Sequence, residues 1–488
     1  MSNSRRAGLL AAVCSVGLLA GVASSASAET LSDAIALAYQ TNPTLQGQRA
    51  SQRALDESVV QARTGLRPTV NADANASFSD GEGDGNARRT SGVGIDLSQP
   101  LYTGGRVSSA ISAAEADVLS GQQGLRGVEA QVLQTVVTAY VDVQRDQERL
   151  RISTENVAVL QRQLDEARAR FEVGEITRTD VAQSEARLAG AKSSLSASQA
   201  QLAISRASYA AVVGQNPGDL AAVPALDNLL PKSVEEAFAA AEENNSSVLS
   251  AEYAEQASRA RVAAARAARR PTISAGASVG WDASTAGDPL GNGSGGQFDD
   301  YSRNVTGNVT LRMPIFTGGL TSSQIRSAQE KNNADRLAIE GARREALRSV
   351  SQAWNGLLGA RANLISNEEQ VRSGRIAFEG VRQEAQVGLR TTLDVLNAEQ
   401  ELRNAELALV NAKRDEYVAA AGLLSAMGKL EAKYLTPEVT QYDATANAKK
   451  VKSAIGWVPW ESAVELVDKA GAPPIGKAPA DGAVVKPN

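Results

Sequence analysis

Apolar residues recur every seven positions along two stretches of this chain. Val136, Val143, Leu150, Val157, Leu164 and Phe171 form the first run. Val350, Leu357, Leu364, Val371, Phe378 and Ala385 form the second, 214 residues further on. A strict seven-residue repeat predicts long helices wound left-handedly against helical neighbours. Proline is absent from Leu101 to Asn216 and from Ile315 to Thr436, and good helix formers fill most of both.

Each run is interrupted once, by Val173-Gly174 and by Val387-Gly388, where glycine lets the chain reverse. Thr177-x-x-Asp180 and Thr391-x-x-Asp394 then read as capping boxes that open return helices. The seven-residue pattern resumes with Val181, Leu188, Leu195, Leu202 and Tyr209, and with Val395, Leu402, Leu409 and Leu423, broken only by Glu416. Each half thus carries a helical hairpin whose outgoing arm, from about Gly105 to Val173, would be ~100 Å long at ~1.5 Å per residue. That is a strut and not the core of a globule. Shorter amphipathic helices, Leu31 to about Leu66 and Val234 to about Arg269, end at Arg-Pro pairs that stop them.

Between these segments the period drops to two. Val70, Ala72, Ala74, Ala76 and Phe78 alternate with Asn71, Asp73, Asn75, Ser77 and Ser79, and Val93, Ile95 and Leu97 follow with polar residues between. The second half repeats this from Ile273 to Trp281 and from Val305 to Met313. These are dyad strands of roughly ten residues, the length a tilted strand needs to cross an outer membrane. Polar, glycine-rich loops, Asp80 to Ser91 and Ala283 to about Ser302, join each pair. Phe78, Trp281 and Tyr301 sit near strand ends, where interfacial aromatics belong. Four strands cannot close a barrel, and open edges are not tolerated in lipid, so the chain is expected to oligomerise.

The chain is a duplication. Arg67-Pro68-Thr69 returns as Arg270-Pro271-Thr272, 203 residues on, whereas Pro100-Leu101-Tyr102-Thr103-Gly104-Gly105 returns as Pro314-Ile315-Phe316-Thr317-Gly318-Gly319, 214 residues on. An 11-residue insertion therefore separates the two motifs in the second copy. The expected organisation is an export signal over 1–28, a first repeat over 29–216, a linker over 217–233 and a second repeat over 234–436. Residues 437–488, rich in Lys, Pro, Ala and Gly, read as a disordered periplasmic tail.

Composition narrows the function. Arg5-Arg6, the apolar Ala7 to Val22 and Ala26-Ser27-Ala28 make a secretory signal. The one cysteine, Cys14, lies inside it, and the chain has no histidine. Ser-His or Cys-His nucleophiles and histidine-ligated zinc are thereby excluded, no cofactor is called for, and an enzyme is not expected. Removing Arg5 and Arg6 from the 50 basic residues leaves 48 against 55 acidic ones, with only four Trp and six Phe. That balance offers no footprint for nucleic acid. The two Thr-Gly-Gly motifs lack the Lys-Ser/Thr of a phosphate loop and read as strand-to-helix corners.

In both halves the Arg-Pro, the dyad strands, the Pro-[Leu/Ile]-[Tyr/Phe]-Thr-Gly-Gly corner and the Val-Gly-x-x-Thr-x-x-Asp-Val hairpin occur in the same order. Together they resemble the TolC family of outer-membrane channels, over about Thr30 to Leu435. The resemblance implies a mainly α protomer with a membrane β-barrel portion. Its homotrimer would form a 12-stranded β-barrel in outer-membrane lipid, continued by an α-helical tunnel in the periplasm of a Gram-negative cell. It implies an exit duct for small-molecule efflux or type I protein secretion. A periplasmic adaptor (membrane fusion) protein and an inner-membrane transporter, ABC or proton-driven, would complete the duct. It further implies a periplasmic gate: Asp394 matches an aspartate that rings the constriction, and Asn397 stands where a second aspartate is usual. Arg390 matches a basic residue that locks one hairpin to the other, Asp180 is its expected acceptor, and Ala385 replaces an assisting tyrosine. Val173, Gly174, Val387 and Gly388 match the tips where adaptor hairpins dock. Competing readings are a periplasmic coiled-coil adaptor, against which two hairpins with dyad strands argue, and an envelope scaffold without a pore.

Overall fold

The computed structural model describes residues 28–79, 87–287, 301–452, 456 and 458–476; residues 1–27 of the expected export signal lie outside them. The first repeat runs through α1 (Leu31–Thr41), α2 (Pro43–Arg63), β1 (Thr69–Ser79), β2 (Ala87–Tyr102), α3 (Arg106–Glu172) and α4 (Arg178–Val213). The second runs through α5 (Val234–Asn244), α6 (Ser246–Ala267), β3 (Thr272–Gly287), β4 (Ser302–Arg312), α7 (Leu320–Gln386) and α8 (Thr392–Ala426). Three short helices follow, α9 (Ala432–Leu435), α10 (Ala444–Lys452) and α11 (Glu461–Ala470). Among the described residues no helix is long and apolar enough to cross a membrane.

The struts are as long as the heptads imply, 67 residues each for α3 and α7. Their return arms, at 36 and 35 residues, cover only half of them. The short helices α2 and α6 pack along the other half of α3. Where the sequence pattern predicts one helix ahead of each strand pair, there are two. Asn42 interrupts the first, its Oδ1 accepting from the N–H groups of Thr44 and Leu45 with Pro43 at the first helical position. The same chemistry recurs at Asn245, which caps α6 by accepting from the N–H groups of Ser247 and Val248. An asparagine cap satisfies two orphan donors at once and so wins over continuation.

The four strands form one antiparallel sheet in the order β1-β2-β3-β4. β2 and β3 are 16 residues long, beyond the span that alternation alone suggests. Pro100 lies at the register shift between Pro100 and Tyr102, where a missing donor costs the ladder least. Every residue of β1 and β4 is exposed, the apolar Val70, Phe78, Val309 and Leu311 included. The principal core lies elsewhere, where α1, α4, α5, α8 and the middle of α3 and α7 converge on Val136, Tyr140, Tyr209, Val350 and Leu424. There the Tyr140 hydroxyl donates to the carbonyls of Glu29 (2.8 Å) and Ala221 (2.6 Å), tying the linker to the start of the first repeat.

The expectation of a disordered tail fails over the described part of 437–476. α10 rests on α2, with Asn447 Nδ2 donating to Asp56 Oδ2 at 2.7 Å. α11 lies in the strand-to-helix corner of the first repeat. There the buried Arg67 guanidinium holds both oxygens of Glu461, at 3.0 and 3.3 Å. Asp468 accepts from the N–H and hydroxyl of Thr103, from Gly105 N–H, and from the N–H and hydroxyl of Ser108. The residues that anchor α11 are acids seven apart, so a search for apolar periodicity passes over it.

Candidate functional site

The far ends of the two hairpins form the candidate site. Gly174 and Gly388 take left-handed backbone, φ 83° and 78°. At each turn the glycine N–H bonds back three residues and the next N–H five, to Phe171 and Arg170 in one hairpin and to Ala385 and Glu384 in the other. This double closure satisfies the last carbonyls of α3 and α7 and fixes where each strut ends. Val173 and Val387, both 72% exposed, and Leu389 leave apolar surface at the very tips.

Both predicted capping boxes form. Asp180 Oδ2 accepts from the N–H (2.9 Å) and hydroxyl (2.7 Å) of Thr177. Asp394 Oδ2 does the same with Thr391, at 3.0 and 2.8 Å. The Thr177 hydroxyl and N–H hold Asp180 below the ordinary carboxylate range. Thr391 does likewise for Asp394, with the Arg390 charge adding to it. Both side chains are therefore anions at neutral pH.

Within one chain Arg390 and Asp180 are not brought together. Arg390 Nε donates to Glu384 Oε2 at 2.7 Å, across its own turn, and among the described residues no ion pair links it to Asp180. The reason is local: so short a loop closes at small entropic cost, and Asp180 already spends an oxygen on its cap. Asn397 is likewise engaged inside the chain, its Oδ1 accepting from Arg187 Nη2 of α4 at 2.9 Å.

What joins the hairpins is a seam set back from the tips. Leu160 and Leu164 of α3, Leu188 and Ala191 of α4 and Leu396 of α8 form a buried cluster. Beside it Gln163 Nε2 donates to Glu399 Oε2 at 2.6 Å. Glu399 is 2% exposed and its Oε1 has no hydrogen-bond partner. It lines a cleft of about 570 Å³ with Arg162, Arg382 and Arg403. Burial pushes its carboxyl above the usual range, against the Gln163 bond and the charges of Arg403, Arg162 and Arg382. Sequence reasoning missed Gln163, Arg187 and Glu399. One signal was available: Glu399 falls four residues after Val395 and three before Leu402, an acid on the apolar stripe of α8.

A duplicated protomer with long paired helices, an open four-stranded sheet and twin hairpin tips belongs to the class of envelope-spanning channels. The model of the outer membrane efflux protein family matches residues 34–215 and 238–429, one span in each repeat. The chain belongs to this family and is an outer-membrane exit duct that reaches into the periplasm. It is 36% identical over 429 residues to outer membrane efflux protein BepC of Brucella suis biovar 1, covering 88% of this chain and 91% of that protein. It is 26% identical over 415 residues to outer membrane protein TolC of Vibrio cholerae, covering 84% and 93%. The fold also matches the open state of the Neisseria gonorrhoeae MtrE outer membrane channel. There the TM-score is 0.67 at 24% identity, over 82% of this chain and 89% of that one.

Proposed function

We propose that three copies of this chain close into one passive duct: a twelve-stranded barrel in the outer membrane, continued by a tunnel of twelve helices formed from α3, α4, α7 and α8. The observation that carries this reading is the open sheet, whose β1 and β4 edges have no partner strand among the described residues. Unpaired backbone cannot remain in lipid, and four strands per copy make small barrels only in multiples. A second observation agrees. α7 leaves Leu337, Ile365 and Ile376 between 68% and 73% exposed, although α3, its repeat equivalent, is covered by α6 and α8. The same cover on α7 would come from α2 and α4 of the next copy.

We read the duct as serving efflux, the word that the family and the Brucella relative carry in their names, or one-step protein secretion, which needs the same kind of passage. In this reading the exposed Val173-Gly174 and Val387-Gly388 tips receive the hairpins of a periplasmic adaptor, itself coupled to an inner-membrane ABC or proton-driven transporter. The anionic Asp394 lines the constriction. Gln163–Glu399 and Arg187–Asn397 hold the two hairpins of one copy together, and Arg390 stiffens its own turn through Glu384. Light scattering on detergent-solubilised protein tests the assembly: the mass of three chains is expected, and that of one or two would overturn it.

A further inference from the structure

The duplication specifies how neighbouring copies meet. We propose that β4 of one copy pairs antiparallel with β1 of the next, with Val309 opposite Ala76, Thr310 opposite Asn75 and Arg312 opposite Asp73. This proposal rests on the ring-closure reading above and adds its register.

The argument begins inside the chain. Positions before the 11-residue insertion shift by 203 between repeats, and positions after it by 214. Applied to the first hairpin, these shifts turn the pair Thr69–Ser98 into Thr272–Arg312, which is the pairing observed in the second hairpin. The shifts therefore hold for the strands themselves. Within the chain β2 joins β3 with Ile95 opposite Val279. Advancing Ile95 by 214 gives Val309, and moving Val279 back by 203 gives Ala76. A ring in which every repeat meets the next alike must use this pairing at the seam between copies.

Two features not used in deriving the register agree with it. Apolar residues occupy odd positions in β4 and even ones in β1, and the pairing sets Val309 and Leu311 against Ala76 and Ala74 on one face. A one-residue slip would put every such pair on opposite faces. Asp73 is the only acid in β1, lying diagonal to Asp96 of β2. The pairing brings Arg312 directly opposite it, where opposite charges stabilise a cross-strand pair. A two-residue slip would give Arg312 an asparagine, Asn71 or Asn75, and leave the two carboxylates without a cation. The same shifts carry Tyr102–Ile273 into Phe316–Val70. β4 would then lengthen on assembly and cover Ile315 and Phe316, now 96% and 89% exposed.

Because the only cysteine is Cys14, in the export signal, engineered cysteines report cleanly. Thr310→Cys/Asn75→Cys and Val309→Cys/Ala76→Cys are adjacent pairs, so one of them is the closer, non-hydrogen-bonded kind. Oxidising outer membranes with copper phenanthroline should convert at least one of these full-length variants to covalent trimers on a non-reducing gel. Thr310→Cys/Ser79→Cys and Thr310→Cys/Asn71→Cys lie about four residues out of register, ~13 Å away at ~3.3 Å per residue, beyond disulfide reach. They should stay monomeric on the gel. Equal or faster cross-linking of an off-register pair overturns the register, as does its absence from both in-register pairs while scattering reports trimers. A monomer by scattering overturns the ring-closure reading itself. If the cysteines prevent assembly, Arg312→Asp and Asp73→Arg should each lower the temperature at which the trimer dissociates, and the double exchange should restore it. Failure of the double exchange to restore it overturns the pairing.

Discussion

Replacing Asp468 with alanine tests whether the end of the chain is built into the duct or hangs from it. The side chain is fully buried. Its Oδ1 accepts from Thr103 N–H at 2.7 Å, Thr103 hydroxyl at 2.8 Å and Gly105 N–H at 3.1 Å, and its Oδ2 from Ser108 N–H at 3.1 Å and from the Ser108 hydroxyl. Alanine strands three backbone donors, Thr103, Gly105 and Ser108, at the corner that opens α3. Each buried orphan costs about 1–3 kcal/mol, with partial relief from entering water. The contributions share one acceptor and do not add, so the loss should be about 3–5 kcal/mol, as when one partner of a buried charged pair is removed. Hydrogen exchange on residues 461–470 reads this as faster exchange by roughly two to four orders of magnitude, at about 1.4 kcal/mol per tenfold. Asp468→Asn keeps one acceptor and should lose less. Burial alone would push the Asp468 carboxyl up, but the Ser108, Thr103 and Gly105 donors outweigh it and hold it below the usual range. A depressed carboxylate stabilises above its unfolded pKa of ~3.9 and is lost as pH falls through the folded value. α11 should therefore stay docked at a pH of about 5 and release only in stronger acid. Unchanged protection in Asp468→Ala would refute the anchor.

At the hairpin seam the sign is opposite. The Glu399 carboxyl is raised by burial, so the protonated form favours the closed seam, and that gain is lost as pH rises through the raised value. Cross-seam distances measured by spin labels on α3 and α8 should shorten on acidification, and Glu399→Gln should hold the short distance at every pH; a pH response that survives in Glu399→Gln would contradict this. In the barrel, Val309 is on the lipid stripe and Asn308 on the polar one. Val309→Arg should cost ~2–4 kcal/mol near the midplane and deplete outer-membrane trimers far more than Asn308→Arg, and equal depletion would mean the faces are misassigned.

Much of this architecture is legible in the order of residues. Heptads beginning at Val136 and Val350 predict the struts, Gly174 and Gly388 the reversals, and the period-two runs the sheet, because each is a local rule repeated many times. The capping acids Asp180 and Asp394 are legible for the same reason: their partners are three residues away. What is not legible depends on distant partners. The choice of Glu384 over Asp180 by Arg390 is a competition between a short loop and a remote acceptor. The Gln163–Glu399 bond joins residues 236 apart. α11 escapes notice because its anchoring face is acidic, and Glu461 and Asp468 find Arg67 and the donors at Thr103–Ser108 only in three dimensions. The breaks at Asn42 and Asn245 show a cap of one residue overruling a long helical pattern.

An aqueous path from periplasm to exterior through an assembly of these chains is the central claim, and single-channel recording in planar bilayers tests it most directly. Purified trimers should insert in discrete conductance steps with a preference for cations. Asp394→Ala, which removes an anion held charged by Thr391 and Arg390, should reduce that preference and the block by divalent cations without abolishing the steps. Trimers that insert yet pass no current, or a cation preference that Asp394→Ala leaves unchanged, would contradict the account: the first would make the molecule a scaffold without a pore, and the second would move the constriction away from the hairpin tips.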